Sequence, residues 1–177
     1  MQVDKVLDGE TAPEGRFPYM CTLRDPQDPD WVFCAGTLIH PQLVLTAAHC
    51  LSDASQEDPL IVICGDYEPA LHNGTDIRRA KDFAQHPNYN VPKRKANDAG
   101  LILLDAPAVN TPVVQLATPE QWSAIVEAKP VLWGAGWGRT YMEEAEGQTK
   151  TVPVHAEVLQ QFRTPLLDTT KVTLGAQ

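Results

Sequence analysis

The sequence predicts an all-β protein, a sandwich or a barrel. Short apolar runs rich in Val, Ile, Leu and Thr recur along the chain, most of them four to eight residues long and separated by turn residues. No run alternates with a long amphipathic helix, which disfavours a parallel α/β sheet.

Taken in order, APEGRFP (12–18) reads as a loop from its Pro and Gly content, and YMCTL (19–23) is the first strand candidate. DPQDPD (25–30) reads as a second loop. VFCAGTLI (32–39), LVLTA (43–47), LIVIC (60–64) and AGLILL (99–104) are the next strand candidates. PVLWGAGW (130–137) and VPVHAEVLQQF (152–162) complete the set. Two places look helical. Thr118-Pro119-Glu120-Gln121 is a capping box with Pro at the first helical position, and the short helix it opens should end before Pro130. Asp168-Thr169-Thr170 can cap another. EEAEG (143–147) reads as an exposed acidic loop.

The chain has 177 residues and a formal net charge of −9. That length suits one large domain or two small ones. The acidity argues against nucleic-acid binding, which needs a basic surface to meet phosphates. No apolar run approaches the roughly 20 residues of a membrane span. MQVDKVLDGE has no apolar signal core, so a secretion signal would lie outside these residues. Cys21, Cys34, Cys50 and Cys64 form no C-x-x-C pair, which disfavours a zinc ribbon. Four cysteines suit two disulfides and an oxidising compartment, with three pairings open. Asn73-Gly74-Thr75 is a glycosylation sequon, in keeping with export.

LVLTAAHC (43–50) delivers His49 at the end of an apolar strand. A histidine so placed is more often a hydrogen-bonded structural residue than a catalyst. Asp98, at the head of AGLILL, changes the balance. A partly buried carboxylate needs a partner, and an imidazole N–H is a good one, because the bond fixes the ring tautomer.

VLDGETAPEGRFPYMCTL, FCAGTLIHPQLVLTAAHC, NDAGLILLDAP and LWGAGWGRT together resemble the chymotrypsin/trypsin family of serine proteases, in the family's order and at its usual separations. The resemblance covers nearly the whole chain. It implies a double β-barrel with the first barrel complete and the second only partly present. Residues 1–5 would be a propeptide-like tail and 6–107 a six-stranded first barrel. Residues 108–128 would link the barrels through a short helix, and 129–177 would begin the second. The second barrel's opening strands would leave apolar faces and unpaired edges exposed.

The resemblance also assigns residues. His49 matches the general base and acid, and Asp98 the carboxylate that orients it. Cys34 and Cys50 match the disulfide beside the histidine turn. Cys21 and Cys64 fall on neighbouring strands of the first barrel, which implies a second pair less common in the family. Cleavage after Lys5 would free Val6 as an activated N-terminus. A weaker carry-over is a calcium loop at 66–76, where Asp66 and Asp76 could supply oxygens; its spacing is off and other ligands are not evident. No metal or cofactor is expected.

The family's nucleophile lies in a Gly-Asp-Ser-Gly-Gly segment. The three serines here, Ser52, Ser55 and Ser123, have no glycine neighbour, and none matches. The segment that would follow LQQFRTPLLD, with its serine and oxyanion donors, is not among these residues. The expected function is therefore part of a secreted trypsin-like endopeptidase, truncated before its serine and inactive as this chain. Its partner would be a peptide or protein substrate. The alternative is a non-catalytic homologue that acts as a binding module.

Overall fold

The computed structural model describes residues 9–71, 74–90, 96–144 and 151–166. The strands are β1 (Glu10–Thr11), β2 (Met20–Asp25), β3 (Asp28–His40), β4 (Leu43–Thr46), β5 (Ile61–Cys64), β6 (Asp76–Gln85) and β7 (Gly100–Leu104). One helix, α1 (Pro119–Ala128), precedes β8 (Val131–Gly136), β9 (Arg139–Glu144), β10 (Thr151–His155) and β11 (Gln160–Pro165).

Six strands close a barrel in the order β2-β3-β4-β7-β6-β5. Every neighbouring pair is antiparallel. The two-residue period of a strand fills it. On β7, Ile102 and Leu104 are buried while Leu101 faces out; on β4, Val44 is fully buried. Leu23, Leu38 and Val62 complete the interior from β2, β3 and β5. Closure leaves the barrel no unpaired edge.

The second half is open among the described residues. It has a three-stranded sheet, β1-β11-β8, and a separate β9-β10 pair. Ala12, Met20, Trp137 and Leu159 form a second apolar cluster between this sheet and the barrel. Tyr67 ties the two together: its carbonyl accepts from Trp137 Nε1 at 3.1 Å and from the Leu159 amide at 2.9 Å. Its hydroxyl donates to the Ala12 carbonyl at 2.9 Å.

The capping box forms as its sequence implies. Thr118 Oγ1 accepts from the Gln121 amide at 3.2 Å, and Gln121 Oε1 accepts from the Thr118 amide at 2.9 Å. The helix ends at Ala128, with Lys129 in the left-handed conformation at φ 46°. No residue of α1 is buried, and Trp122 is 50% exposed.

Four readings change. The loop expected at 25–30 shrinks to a tight turn, because Asp28–Asp30 already lie in β3. β6, DIRRAKDFAQ, has no counterpart among the expected strands. It carries no apolar run and buries only small or polar side chains inside the barrel wall, Asp76 and Ala80. VPVHAEVLQQF splits into β10 and β11, which join different sheets. Glu143 and Glu144 close β9 instead of opening a loop. Also, Glu10–Thr11 pairs with β11, so the N-terminal segment contributes a strand to the second sheet. Lys5, Val6, Asn73 and Asp168-Thr169-Thr170 lie outside the described residues.

Asp66 and Asp76 both have internal cationic partners. Asp66 meets Arg24 at 2.7 Å with both side chains fully buried. Asp76 accepts from Arg78 at 2.8 Å and from the backbone amides of Val109 and Asn110 at 3.2 and 2.9 Å. Neither carboxylate is presented as a loop ligand for calcium.

Burial pushes the Asp76 carboxyl up. The Thr111 hydroxyl, the Asn110 and Val109 amides and the Arg78 guanidinium together outweigh it and hold the group below 3.8. A depressed folded pKa contributes stability that is present above the unfolded value and lost as pH falls through the folded one. Unfolding free energy should therefore drop on acidification below about pH 4, and Asp76→Asn should flatten that acid slope. Urea melts from about pH 6 to about pH 2.5 read this directly. Identical slopes in the two proteins would rule the effect out.

Candidate active site

β4 ends at Thr46 and runs into a 3-10 turn, Ala48–Leu51, that carries His49. Thr46 pairs with Gly100 at the head of β7. That register brings Asp98, two residues before Gly100, against the histidine turn. The turn packs close because position 100 is glycine. A Cβ there would stand 2.6 Å from Leu51 Cδ1 and 3.4 Å from Ala48 Cα. Gln85, which faces Gly100 across β6 and β7, donates from Nε2 to the Ala48 carbonyl at 2.7 Å and pins the turn.

Asp98 grips His49 at two points. Its Oδ1 accepts from the His49 backbone N–H at 2.8 Å, and its Oδ2 lies 2.7 Å from His49 Nδ1. An ionised carboxylate only accepts, so the proton sits on Nδ1 and the Nε2 lone pair is left for chemistry. The His49 side chain is 45% exposed and that of Asp98 23%. The pair is therefore oriented from inside and open to a ligand on its other side.

The Cys34–Cys50 disulfide flanks the turn, 16 residues apart in sequence, and Cys50 Sγ lies 3.7 Å from His49 Nε2. These two sulfurs and the imidazole are close enough to suggest a metal cluster, but the sulfurs are bonded to each other and offer no thiolate. Cys21 and Cys64, paired across β2 and β5, form the second disulfide. A cavity of about 510 Å³ opens beside His49, walled by the β2–β3 turn, the disulfide and the loop after the histidine.

No serine hydroxyl among the described residues hydrogen-bonds His49. Ser123 donates to the Pro119 carbonyl on α1, Ser52 accepts from Gln85, and Ser55 accepts from the Glu57 amide. Gln85 joins the site from outside the residues the sequence pattern points to, and Gly100 lies within NDAGLILL without its packing role being visible there. Neither has a chemical signature of its own, and each matters only through the β4–β7–β6 register.

A family model for trypsin matches residues 6–175. The chain belongs to the trypsin family. This trypsin-family chain is 33% identical over 167 residues to "Serine protease 1" of Canis lupus familiaris, covering 93% of the chain and 59% of that protein. It is 28% identical over 136 residues to "Serine protease 28" of Mus musculus, covering 75% of the chain and 49% of that protein. The chain thus spans 49% and 59% of the length of these two relatives. Among solved structures it resembles the Vibrio cholerae VesB protease with a TM-score of 0.70 at 25% identity, covering 90% of the chain and 44% of that structure. It resembles the secreted serine protease VesC of the same organism with a TM-score of 0.68 at 21% identity, covering 90% and 31%, a likeness of fold alone. Among the described residues no helix of this trypsin-family chain is long and apolar enough to cross a membrane.

Proposed function

We propose that this chain is the base-bearing part of a secreted serine endopeptidase. The closed barrel of β2 to β7 presents the base, the segment with α1 leads onward, and β8 and β11 with β1 belong to the start of a second barrel. The observation that carries the reading is the two-point hold of Asp98 on His49, at 2.8 and 2.7 Å. His49 Nε2 takes the proton of a serine hydroxyl as it attacks the peptide carbonyl, then returns it to the leaving amine. Asp98 keeps the ring in that tautomer and stabilises the imidazolium that forms. The two disulfides support an extracellular setting. Activation by cleavage before Val6 and a glycan on Asn73 belong to the same proposal.

The nucleophile, in this reading, is supplied by polypeptide outside these 177 residues. A second reading, a non-catalytic homologue that binds a partner, draws on the three serines, none flanked by glycine. The transcript downstream of the Gln177 codon separates the two. A Gly-Asp-Ser-Gly-Gly segment there supports the enzyme, and a stop codon supports the binding module. Independently, a serine-directed fluorophosphonate should leave the 177-residue chain unlabelled. Stoichiometric labelling would overturn the claim that the nucleophile lies elsewhere.

A further inference from the structure

The two disulfides differ in access. Cys21 and Cys64 are both 0% exposed inside the barrel. Cys34 and Cys50 line the cavity beside His49. A soluble reductant therefore meets Cys34–Cys50 first. Opening that bond changes the chemistry of the histidine turn. The Cys34 and Cys50 sulfurs and a His49 ring nitrogen lie within 4.8 Å of one another, and Cys50 Sγ is 3.7 Å from Nε2. A tetrahedral zinc with Zn–S of about 2.3 Å and Zn–N of about 2.1 Å sets sulfur and nitrogen about 3.6 Å apart and two sulfurs about 3.8 Å apart. The sulfur–nitrogen spacing is already present for Cys50, and the two sulfurs have to separate. The imidazole is prepared as well. Asp98 Oδ2 holds the proton on Nδ1 from 2.7 Å, which leaves the Nε2 lone pair as a ligand. A carboxylate behind a ligating histidine is the usual outer partner in a zinc site.

We propose that reduction of Cys34–Cys50 converts the histidine turn into a zinc site, with the two thiolates and His49 Nε2 as ligands and water in the fourth position. A dithiol supplies the two electrons. Its sulfurs break the Cys34–Cys50 bond by exchange, its two protons end on Cys34 and Cys50, and the dithiol closes into its own disulfide. Zn²⁺ then displaces one proton from each thiol. In an oxidising compartment the disulfide keeps the site closed, so the metal form belongs to reducing conditions. The site itself stands on the three donors and Asp98. Only its consequence rests on the reading of His49 as a base. With Nε2 on zinc no lone pair is left to take a proton, so the metal silences the base and reoxidation of the cysteines frees it.

The experiment treats the full 177-residue chain with dithiothreitol, desalts it under nitrogen and titrates it with Co²⁺, a coloured stand-in for zinc. Thiol titration should find two free thiols per chain. Four would overturn the shielding of Cys21–Cys64 on which the inference depends. One Co²⁺ should bind, with the strong visible bands of tetrahedral cobalt and a near-ultraviolet thiolate-to-cobalt band, and Zn²⁺ should erase both. The disulfide-bonded chain should show neither. Asp98→Asn should weaken Co²⁺ binding by about 10–100-fold, because the ring loses its outer carboxylate. His49→Ala keeps both thiols but loses the nitrogen ligand, so it should bind more weakly still. A reduced wild-type chain without tetrahedral bands overturns the proposal. So does a His49→Ala chain that binds Co²⁺ as tightly as the wild type. No turnover is measured, so the metal site can fail while the Asp98–His49 base reading holds, and the reverse.

Discussion

In the proposed endopeptidase, Asp98→Asn is expected to lower kcat for peptide hydrolysis by about ten-thousandfold, with KM changed by less than about threefold. The geometry gives the reason. Asp98 Oδ1 receives the His49 backbone N–H, and that donor cannot be reversed. Asparagine must keep its carbonyl oxygen there, which turns its NH2 toward Nδ1. Nδ1 then has to accept, so the proton moves to Nε2 and the ring can no longer act as a base. The peptide-bond chemistry fails while the shape of the site survives. His49→Ala removes the base outright and should match or exceed the loss. Steady-state kinetics on purified variants decide it. An Asp98→Asn enzyme that keeps the wild-type kcat refutes the assigned role, and a wild-type product with no activity favours the binding module.

Arg24→Met should lower the unfolding free energy by about 3–5 kcal/mol, the largest stability effect expected from a single change here. Arg24 is fully buried in β2. It donates to Asp66 Oδ2 at 2.7 Å, the Pro69 carbonyl at 2.9 Å, the Pro29 carbonyl at 2.9 Å and Thr22 Oγ1 at 3.1 Å. Thr22 Oγ1 lies 3.2 Å from the same Asp66 oxygen. Methionine fills most of the arginine stem but leaves the Asp66 carboxylate buried without its cation, and two carbonyls without their donor. Asp66→Asn should also be costly, because it leaves the buried Arg24 guanidinium without its anion. Combined with Arg24→Met it should lose less than the sum of the two single changes, since the unpaired anion is gone. Denaturant titration of the four proteins measures the cycle. A loss under about 1 kcal/mol for Arg24→Met would mean the site relaxes or admits water.

The barrel strands legible in the sequence are those with continuous apolar runs: LVLTA, LIVIC and AGLILL each lie on an observed strand. β6 is not legible, because a strand whose inward positions are Asp76 and Ala80 has no hydrophobic period to read. The turn at 25–30 has the Pro and Asp content of a loop, yet β3 begins inside it. His49 and Asp98 are legible because each sits in a distinctive local motif. Asp66 is legible only as an acid able to bind a cation. Its actual cation, Arg24, lies 42 residues away, and nothing local announces it.

Local order came from the chain alone. Alternating or continuous apolar residues set the strands, and Thr118 with Gln121 set the start of α1. These features depend on neighbours a few residues apart, so composition and spacing carry them. Closure of the barrel determined the rest. It paired β4 with β7 in one register and so put Asp98 against the histidine turn. It brought Cys21 opposite Cys64 and Arg24 onto Asp66. It also set the sulfurs of Cys34 and Cys50 beside the His49 ring. A single residue's chemistry cannot encode such meetings. They follow from sheet register, where a shift of one residue would turn every side chain to the opposite face.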